Sequence, residues 1–151
     1  MSRNLLIILG GVVLSLVLLT LGAWIFLQTS DQGAWLRESA ERGRMPGYQE
    51  AVEKYGDPFD MLARGVRVMQ FVLFPAVALL VGAFVGLLAR SVVWQAAALS
   101  LVPLLVFVLL ASSWDLEGFV LSGVYLALCC AASLLLSRWR GKKAASRTAH
   151  V

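Results

Sequence analysis

Residues 5–27 read LLIILGGVVLSLVLLTLGAWIFL, an apolar run that contains no charged side chain. An α-helix rises 1.5 Å per residue, so about 20 residues cross the roughly 30 Å hydrocarbon core of a bilayer. Lipid offers no hydrogen-bond partners to the backbone, and a run of this kind therefore has to be helical. The run is also longer than the apolar segment of a cleaved signal peptide. It predicts an uncleaved membrane-spanning helix.

Three more apolar runs, residues 68–89, 92–113 and 118–137, have a similar length and composition. The whole chain is 60% hydrophobic, well above the roughly 45–50% apolar content of a soluble domain. The sequence therefore predicts an all-α membrane protein, with one four-transmembrane-helix bundle as a single domain over residues 1–151. Residues 28–67 form a long, partly helical loop between the first two spans, and residues 138–151 form a basic tail.

Charged residues separate onto two sides of this arrangement. All nine acids fall on the side of the long loop: Asp31, Glu38, Glu41, Glu50, Glu53, Asp57, Asp60, Asp115 and Glu117. Seven of the thirteen Lys and Arg residues fall in short segments on the other side: Arg3, Arg90, Arg138, Arg140, Lys142, Lys143 and Arg147. Lys and Arg close to the spans favour the cytoplasmic side. We therefore expect a plasma (inner) membrane protein with both termini in the cytoplasm and an extracytoplasmic loop.

The long loop carries its own helix start and stop signals. Ser30 or Asp31 can cap a helix that Gly43 would end, because short polar side chains accept backbone N–H bonds and glycine adopts left-handed dihedrals. After a break at residues 45–47 (MPG), residues 48–55 place their apolar side chains on one helical face. The loop therefore predicts two short helices.

Three prolines predict further features of the helices. Asp57-Pro58 predicts the start of a helix that continues into the second span, since aspartate caps a helix and proline suits its first turn. Pro75 and Pro103 lie inside the second and third apolar runs. Each removes one backbone N–H donor, so each predicts a kink.

Small residues recur at four-residue spacing in two of the predicted spans. The second span carries Ala78, Gly82 and Gly86, and the fourth carries Gly123, Ala127 and Ala131. Small side chains let helix backbones approach closely in a membrane, where dispersion replaces the missing hydrophobic drive. These ridges predict either packing within the bundle or a docking face for a partner subunit.

No Asp, Glu, Lys, Arg or His lies within the core of any predicted span. Proton relays, voltage sensors and ion-coupled carriers need such groups, so active transport by this chain alone is not expected. The single histidine, His150, lies in the tail, which excludes bis-histidine haem ligation and a Ser–His or Cys–His pair in the membrane. We expect no cofactor and no catalytic residue.

Four loop acids recur at three- and four-residue spacing: Glu50, Glu53, Asp57 and Asp60. They could hold a divalent cation or meet a basic patch on a partner, and a solvated helix face explains them equally well. An enzyme acting at the outer interface would use Glu50 and Asp57 as general acid–base groups. The sequence offers no accompanying nucleophile or metal ligand, and we predict no metal site.

The end of the fourth span carries two further signals. Cys129 and Cys130 are adjacent in an apolar run, which predicts small packing residues rather than a disulfide. The basic residues that follow predict contact with lipid headgroups, at about 1 kcal/mol each: Arg138, Arg140, Lys142 and Lys143. The cytoplasmic basic bias also explains the net charge of +4 without nucleic acid.

The sequence carries packing motifs but no recognisable set of catalytic, cofactor-binding or metal-binding residues. The function is therefore predicted by excluding the classes that need such residues. We expect a non-enzymatic accessory, structural or assembly subunit of a larger membrane complex, whose partners are membrane lipids and other membrane subunits. The alternative is a homo-oligomeric channel or a lipid- or quinone-handling protein, in which hydroxyls and proline kinks line a path formed on assembly.

Overall fold

The computed structural model describes residues 2–43, 48–89, 93–111 and 115–148, which are helical except for short connections and contain no β-strand. The helices in chain order are α1 (Ser2–Thr29), α2 (Asp31–Arg42), α3 (Tyr48–Tyr55), α4 (Pro58–Val68), α5 (Phe74–Leu88), α6 (Val93–Ser100), α7 (Val102–Ala111) and α8 (Leu116–Thr148). A π-helical turn, Met69–Leu73, separates α4 from α5. The described chain is all-helical, as predicted. The predicted break at residues 45–47, Arg90 and His150 lie outside the described residues.

Three helical stretches are long and apolar enough to cross a membrane: Arg3–Thr29, Phe59–Leu88 and Leu116–Gly141. The pair Val93–Ser100 and Val102–Ala111 meets the same criteria jointly but is bent by 44°. The described residues therefore contain three candidate spans, or four if the bent pair counts as one. The last helix also extends beyond the predicted fourth span, because α8 continues through most of the predicted tail to Thr148.

The chain divides into two compact units. The first, Met1–Leu19 with Phe74–Val151, is called the bundle unit here. The second, Thr20–Leu73, is called the loop unit. The loop unit contains the end of α1 together with α2, α3, α4 and the π-helical turn.

Helix ends in the loop unit lie at the residues that the sequence indicated. The Ser30 side chain accepts a hydrogen bond from the Gly33 N–H and caps α2. Gly43 ends α2 in the left-handed conformation, with φ of 64°. Asp57 caps α4 by accepting the Phe59 N–H at 2.9 Å. These polar contacts satisfy backbone groups that a helix end leaves unpaired.

A tight reversal joins α1 to α2 within the loop unit. An ideal β-carbon on Gly33 would lie 1.7 Å from the Leu27 carbonyl oxygen, so only glycine fits where the two helices meet. The Arg37 guanidinium donates to that same carbonyl at 2.6 Å and to the Gln28 side chain at 3.0 Å. A cation at a helix C-terminus also interacts favourably with the helix dipole, and α1 therefore ends on an arginine cap.

The core of the bundle unit is built on α5. Phe74, Val77, Val81 and Val85 on this helix are all buried. Phe74 meets the rings of two aromatic side chains edge-on, Phe107 at 5.7 Å and Tyr125 at 6.0 Å between ring centroids. Edge-to-face pairs of this kind contribute about 0.5–1.5 kcal/mol beyond the burial of their area.

Both predicted proline kinks coincide with a departure from regular α-helix. The carbonyl of Phe71, four residues before Pro75, loses its usual N–H donor, and the π-helical turn Met69–Leu73 contains this residue. The bend between α6 and α7 lies at Leu101, two residues before Pro103. Pro103 likewise leaves the Leu99 carbonyl without its α-helical partner, so the third apolar run forms two helices rather than one.

Candidate functional site

The small residues of α5 contact the backbone of α8. Ala78, Gly82 and Gly86 are all buried. An ideal β-carbon on Gly82 would lie 2.3 Å from the Cys129 carbonyl oxygen, and one on Gly86 would lie 2.4 Å from the Ser133 carbonyl oxygen. Real β-carbon contacts are not this short, and α8 therefore packs directly on the glycine surface of α5.

The matching face of α8 is not the ridge indicated by the sequence. Gly123, Ala127 and Ala131 are exposed, and a β-carbon on Gly123 would meet nothing within 4 Å. The buried residues Cys129 and Ser133 lie two positions from Ala127 and Ala131, which is about 200° around a helix. Within the described chain, the ridge Gly123, Ala127 and Ala131 therefore faces away from α5.

Cys129 and Ser133 are themselves small residues at four-residue spacing, and this was the signal for the true contact face. Cys129 is fully buried and Cys130 is partly exposed, and both are free thiols. The Ser133 hydroxyl donates to the Cys130 carbonyl at 2.8 Å. Because this bond satisfies the hydroxyl within its own helix, Ser133 serves here as a small packing residue.

Arg140, predicted to contact lipid headgroups, lies on the end of α5. Its guanidinium donates to the Leu87 carbonyl and, at 2.6 Å, to the Ala89 carbonyl. The last carbonyls of a helix lack intrahelical donors, and the Arg140 guanidinium provides N–H donors for two of these carbonyls. Arg138 is exposed, whereas the side chains of Lys142 and Lys143 lie outside the described residues. The headgroup role of these basic residues stays a prediction.

Ser15, Ser100 and Ser133 are buried polar residues of the bundle unit. Ser100 donates to the Ala96 carbonyl at 2.7 Å, as expected for a hydroxyl in a membrane helix. The Ser15 hydroxyl has no hydrogen-bond partner among the described residues. Because an unpaired buried hydroxyl is unfavourable, Ser15 marks a polar point inside the apolar bundle.

In the loop unit, Glu38 on α2 lies at the centre of an ionic cluster. Its carboxylate contacts Arg42 at 2.5 Å and Lys54 at 2.8 Å, and accepts a hydrogen bond from the Tyr55 hydroxyl. Arg42 in turn pairs with Glu50. The cluster links α2 to α3 and was not visible in the sequence, because its members come from two separate helices.

The ionic cluster shifts the pKa values of its members. Hydrogen bonds from Lys54 and then Tyr55 lower the pKa of Glu38, because they stabilise the carboxylate. The same contacts raise the pKa of Lys54 and of Tyr55. A hydrogen bond to Glu50, followed by the charge of Glu38, raises the pKa of Arg42. These pKa shifts favour the charged forms of Glu38, Arg42 and Lys54 and the neutral form of the Tyr55 hydroxyl.

Two of the four loop acids at three- and four-residue spacing, Glu50 and Asp57, have structural partners. Glu50 pairs with Arg42, and Asp57 caps α4. Among the described residues, no three His, Cys, Asp or Glu side chains come together in a group that could hold a metal ion. These contacts account for the positions of Glu50 and Asp57.

A cavity of about 190 Å³ lies in the loop unit, where the end of α1 meets the start of α2 and one side of α4. Part of its wall is apolar and part is polar. Residues of both kinds line it, namely Phe26, Met61 and Val68 together with Asp31, Gln32 and Arg64.

Comparisons with known proteins do not assign this site. No family model matches the chain, and neither a curated protein nor a solved structure is significantly similar to it.

Proposed function

We propose that this chain is a four-span membrane protein that acts as a non-enzymatic accessory or assembly subunit of a larger membrane complex. In this proposal the bent pair α6 and α7 forms one broken span between the spans Phe59–Leu88 and Leu116–Gly141. Four crossings place both termini on one side. The density of Lys and Arg in the short segments favours the cytoplasmic face of the plasma membrane for that side.

The observation that carries the proposal is the outward ridge of α8. Only 17% of the most apolar window in this helix is buried within the chain, against 39% for the span that contains α5. The exposed surface includes the small residues Gly123, Ala127 and Ala131. A lipid-facing helix has no need of small side chains, whereas a second helix can approach closely across them. We infer that a helix of a partner subunit packs on this ridge.

The mass and composition of the particle extracted in mild detergent test the proposal. We expect the wild-type chain to co-purify with at least one different membrane protein in a fixed ratio. A particle of uniform composition at a multiple of 16.4 kDa would contradict this and favour the homo-oligomeric channel. A monomer without bound protein would also contradict it.

Variants of the ridge make the test specific. The triple substitution Gly123→Leu, Ala127→Leu and Ala131→Leu should release the co-purifying protein, because leucine side chains keep the helices apart. Ala76→Leu is the matched control, since Ala76 is also an exposed small residue, on α5. Retention of the partner by the triple variant would show that another surface binds it.

A further inference from the structure

The cavity in the loop unit lies at the end of a membrane-spanning helix. Two of its lining residues, Phe26 and Thr29, belong to the last turn of the candidate span Arg3–Thr29. A span of this length ends where the hydrocarbon core gives way to lipid headgroups. The cavity therefore opens at the depth of the headgroup region.

Two side chains of opposite charge line the cavity, and neither forms an ion pair with another described residue. Asp31 makes no ion pair or hydrogen bond through its carboxylate among the described residues. The Nε–H of Arg64 donates to the Asp60 carbonyl at 3.4 Å, and no carboxylate of the described residues pairs with this guanidinium. A cavity lined by one carboxylate and one guanidinium, with their charges not paired to described residues, is complementary to a ligand that carries both charges.

The size and the walls of the cavity narrow the class of ligand. Pockets for complete small molecules measure about 300–1,000 Å³, so a cavity of about 190 Å³ holds a headgroup but not a whole lipid. Phe26, Met61 and Val68 provide the apolar part of the wall. A ligand with a small charged headgroup and an apolar tail matches a small cavity whose wall is partly charged and partly apolar.

We propose that this cavity binds the headgroup of a zwitterionic phospholipid with a primary amine, as in phosphatidylethanolamine. Arg64 binds the phosphate, for which a guanidinium is well shaped. Asp31 accepts hydrogen bonds from the ammonium group. The assignment goes beyond the proposed accessory function and does not depend on a partner subunit.

Lipid binding by the purified full chain tests the assignment. Native mass spectrometry would compare phosphatidylethanolamine, phosphatidylcholine and phosphatidylglycerol with identical acyl chains. We expect the ethanolamine lipid to bind most tightly. Choline has no N–H to donate to Asp31, and glycerol carries no positive charge. Equal binding of all three lipids, or a preference for phosphatidylglycerol, would overturn the proposal.

Charge variants locate the site. Arg64→Gln and Asp31→Asn should each weaken binding of the ethanolamine lipid about tenfold, the usual effect of losing one charge-assisted hydrogen bond. Arg67→Gln and Asp60→Asn are the matched controls, because they remove the same charges from exposed positions of α4 that do not line the cavity. Controls that weaken binding as much as the test variants would overturn the assignment.

A third variant tests the cavity independently of charge. An ideal β-carbon on Gly65 would lie 2.2 Å from the Gln32 Oε1 and 3.0 Å from the Phe26 ring. Gly65→Ala should displace the Gln32 side chain and weaken binding of the ethanolamine lipid while the particle still elutes as wild type. Unchanged binding would contradict the site.

Binding of soluble phosphoethanolamine tests whether the ligand is a membrane component. If this free headgroup bound as tightly as the lipid, the assignment to a membrane component would be overturned.

Discussion

The backbone of Ser133 on α8 passes so close to Gly86 on α5 that a β-carbon on the glycine would lie 2.4 Å from the Ser133 carbonyl oxygen. Gly82 stands in the same relation to Cys129, at 2.3 Å. Two successive turns of α5 are thus shaped to accept the backbone of α8. Close approach of this kind replaces large interlocking side chains as the source of packing energy in a membrane.

Replacing Gly86 with alanine should destabilise the bundle unit. The added methyl group would collide with backbone, which cannot rotate away, and overpacking of this kind costs about 1–3 kcal/mol. Unfolding in mixed micelles of denaturing and mild detergent would measure the loss. Gly123→Ala is the control, since its β-carbon meets nothing within 4 Å, and it should leave stability unchanged or slightly higher. An equal loss in both variants would contradict the packing.

Removing the arginine at the end of α5 should also lower stability. Arg140→Gln takes the charged donor from the Leu87 and Ala89 carbonyls, and a hydrogen bond to a charged group contributes about 1.5–3 kcal/mol at most. The expected loss in a thermal unfolding scan is therefore measurable, whereas Arg138→Gln should have little effect because Arg138 is exposed. Equal melting temperatures for the two variants would show that Arg140 does not stabilise the end of α5.

The contact between α2 and α3 should weaken in acid. The pKa of Glu38 is lowered by Lys54 and Tyr55, so its contribution to stability is complete above the unfolded value of about 4.3. It is lost as the pH falls through the lower folded value. Hydrogen exchange of residues 48–55, corrected for intrinsic rates at each pH, would detect the loosening.

Two variants isolate Glu38 in that titration. Glu38→Gln should abolish the acid-dependent change, because the titrating group is gone. Glu41→Gln removes a neighbouring exposed acid and should leave the change intact. A response that survives in Glu38→Gln would assign the acid sensitivity to another group.

Alanine at position 103 should straighten α6 and α7. The substitution supplies the N–H that the Leu99 carbonyl lacks, and the 44° bend should fall below about 20°, the range in which helices need no special cause. Residual dipolar couplings report the angle between the two helix axes. Pro75→Ala should not alter this angle, and a bend that persists in Pro103→Ala would show that packing, rather than proline, produces it.

The sequence was most informative where a single local feature decides the structure. Caps at Ser30 and Asp57 and the left-handed turn at Gly43 follow from the chemistry of one residue and its neighbours, and the structure has all three. Apolar length likewise identified helices long enough to span a membrane. These features need no information about distant parts of the chain.

Sequence reasoning was less informative about which helix face points inward. A soluble helix shows its buried face as an apolar stripe, but the candidate span in α8 is apolar on all sides. The ridge of Gly123 and Ala127 therefore resembled the contact face, while the actual contact uses Cys129 and Ser133. The cluster around Glu38 and the cap formed by Arg140 were also missed, because each joins residues from separate helices.

The central proposal is a four-span topology, in which α3 and the far end of α8 lie on opposite sides of the membrane. Glu53→Cys and Gly141→Cys, each made in a chain with Cys129 and Cys130 replaced by alanine, place single thiols on these two elements. A membrane-impermeant maleimide applied to intact cells should label position 53 alone, and position 141 should react only after permeabilisation. Labelling of both positions from the same side of an intact membrane would contradict the account.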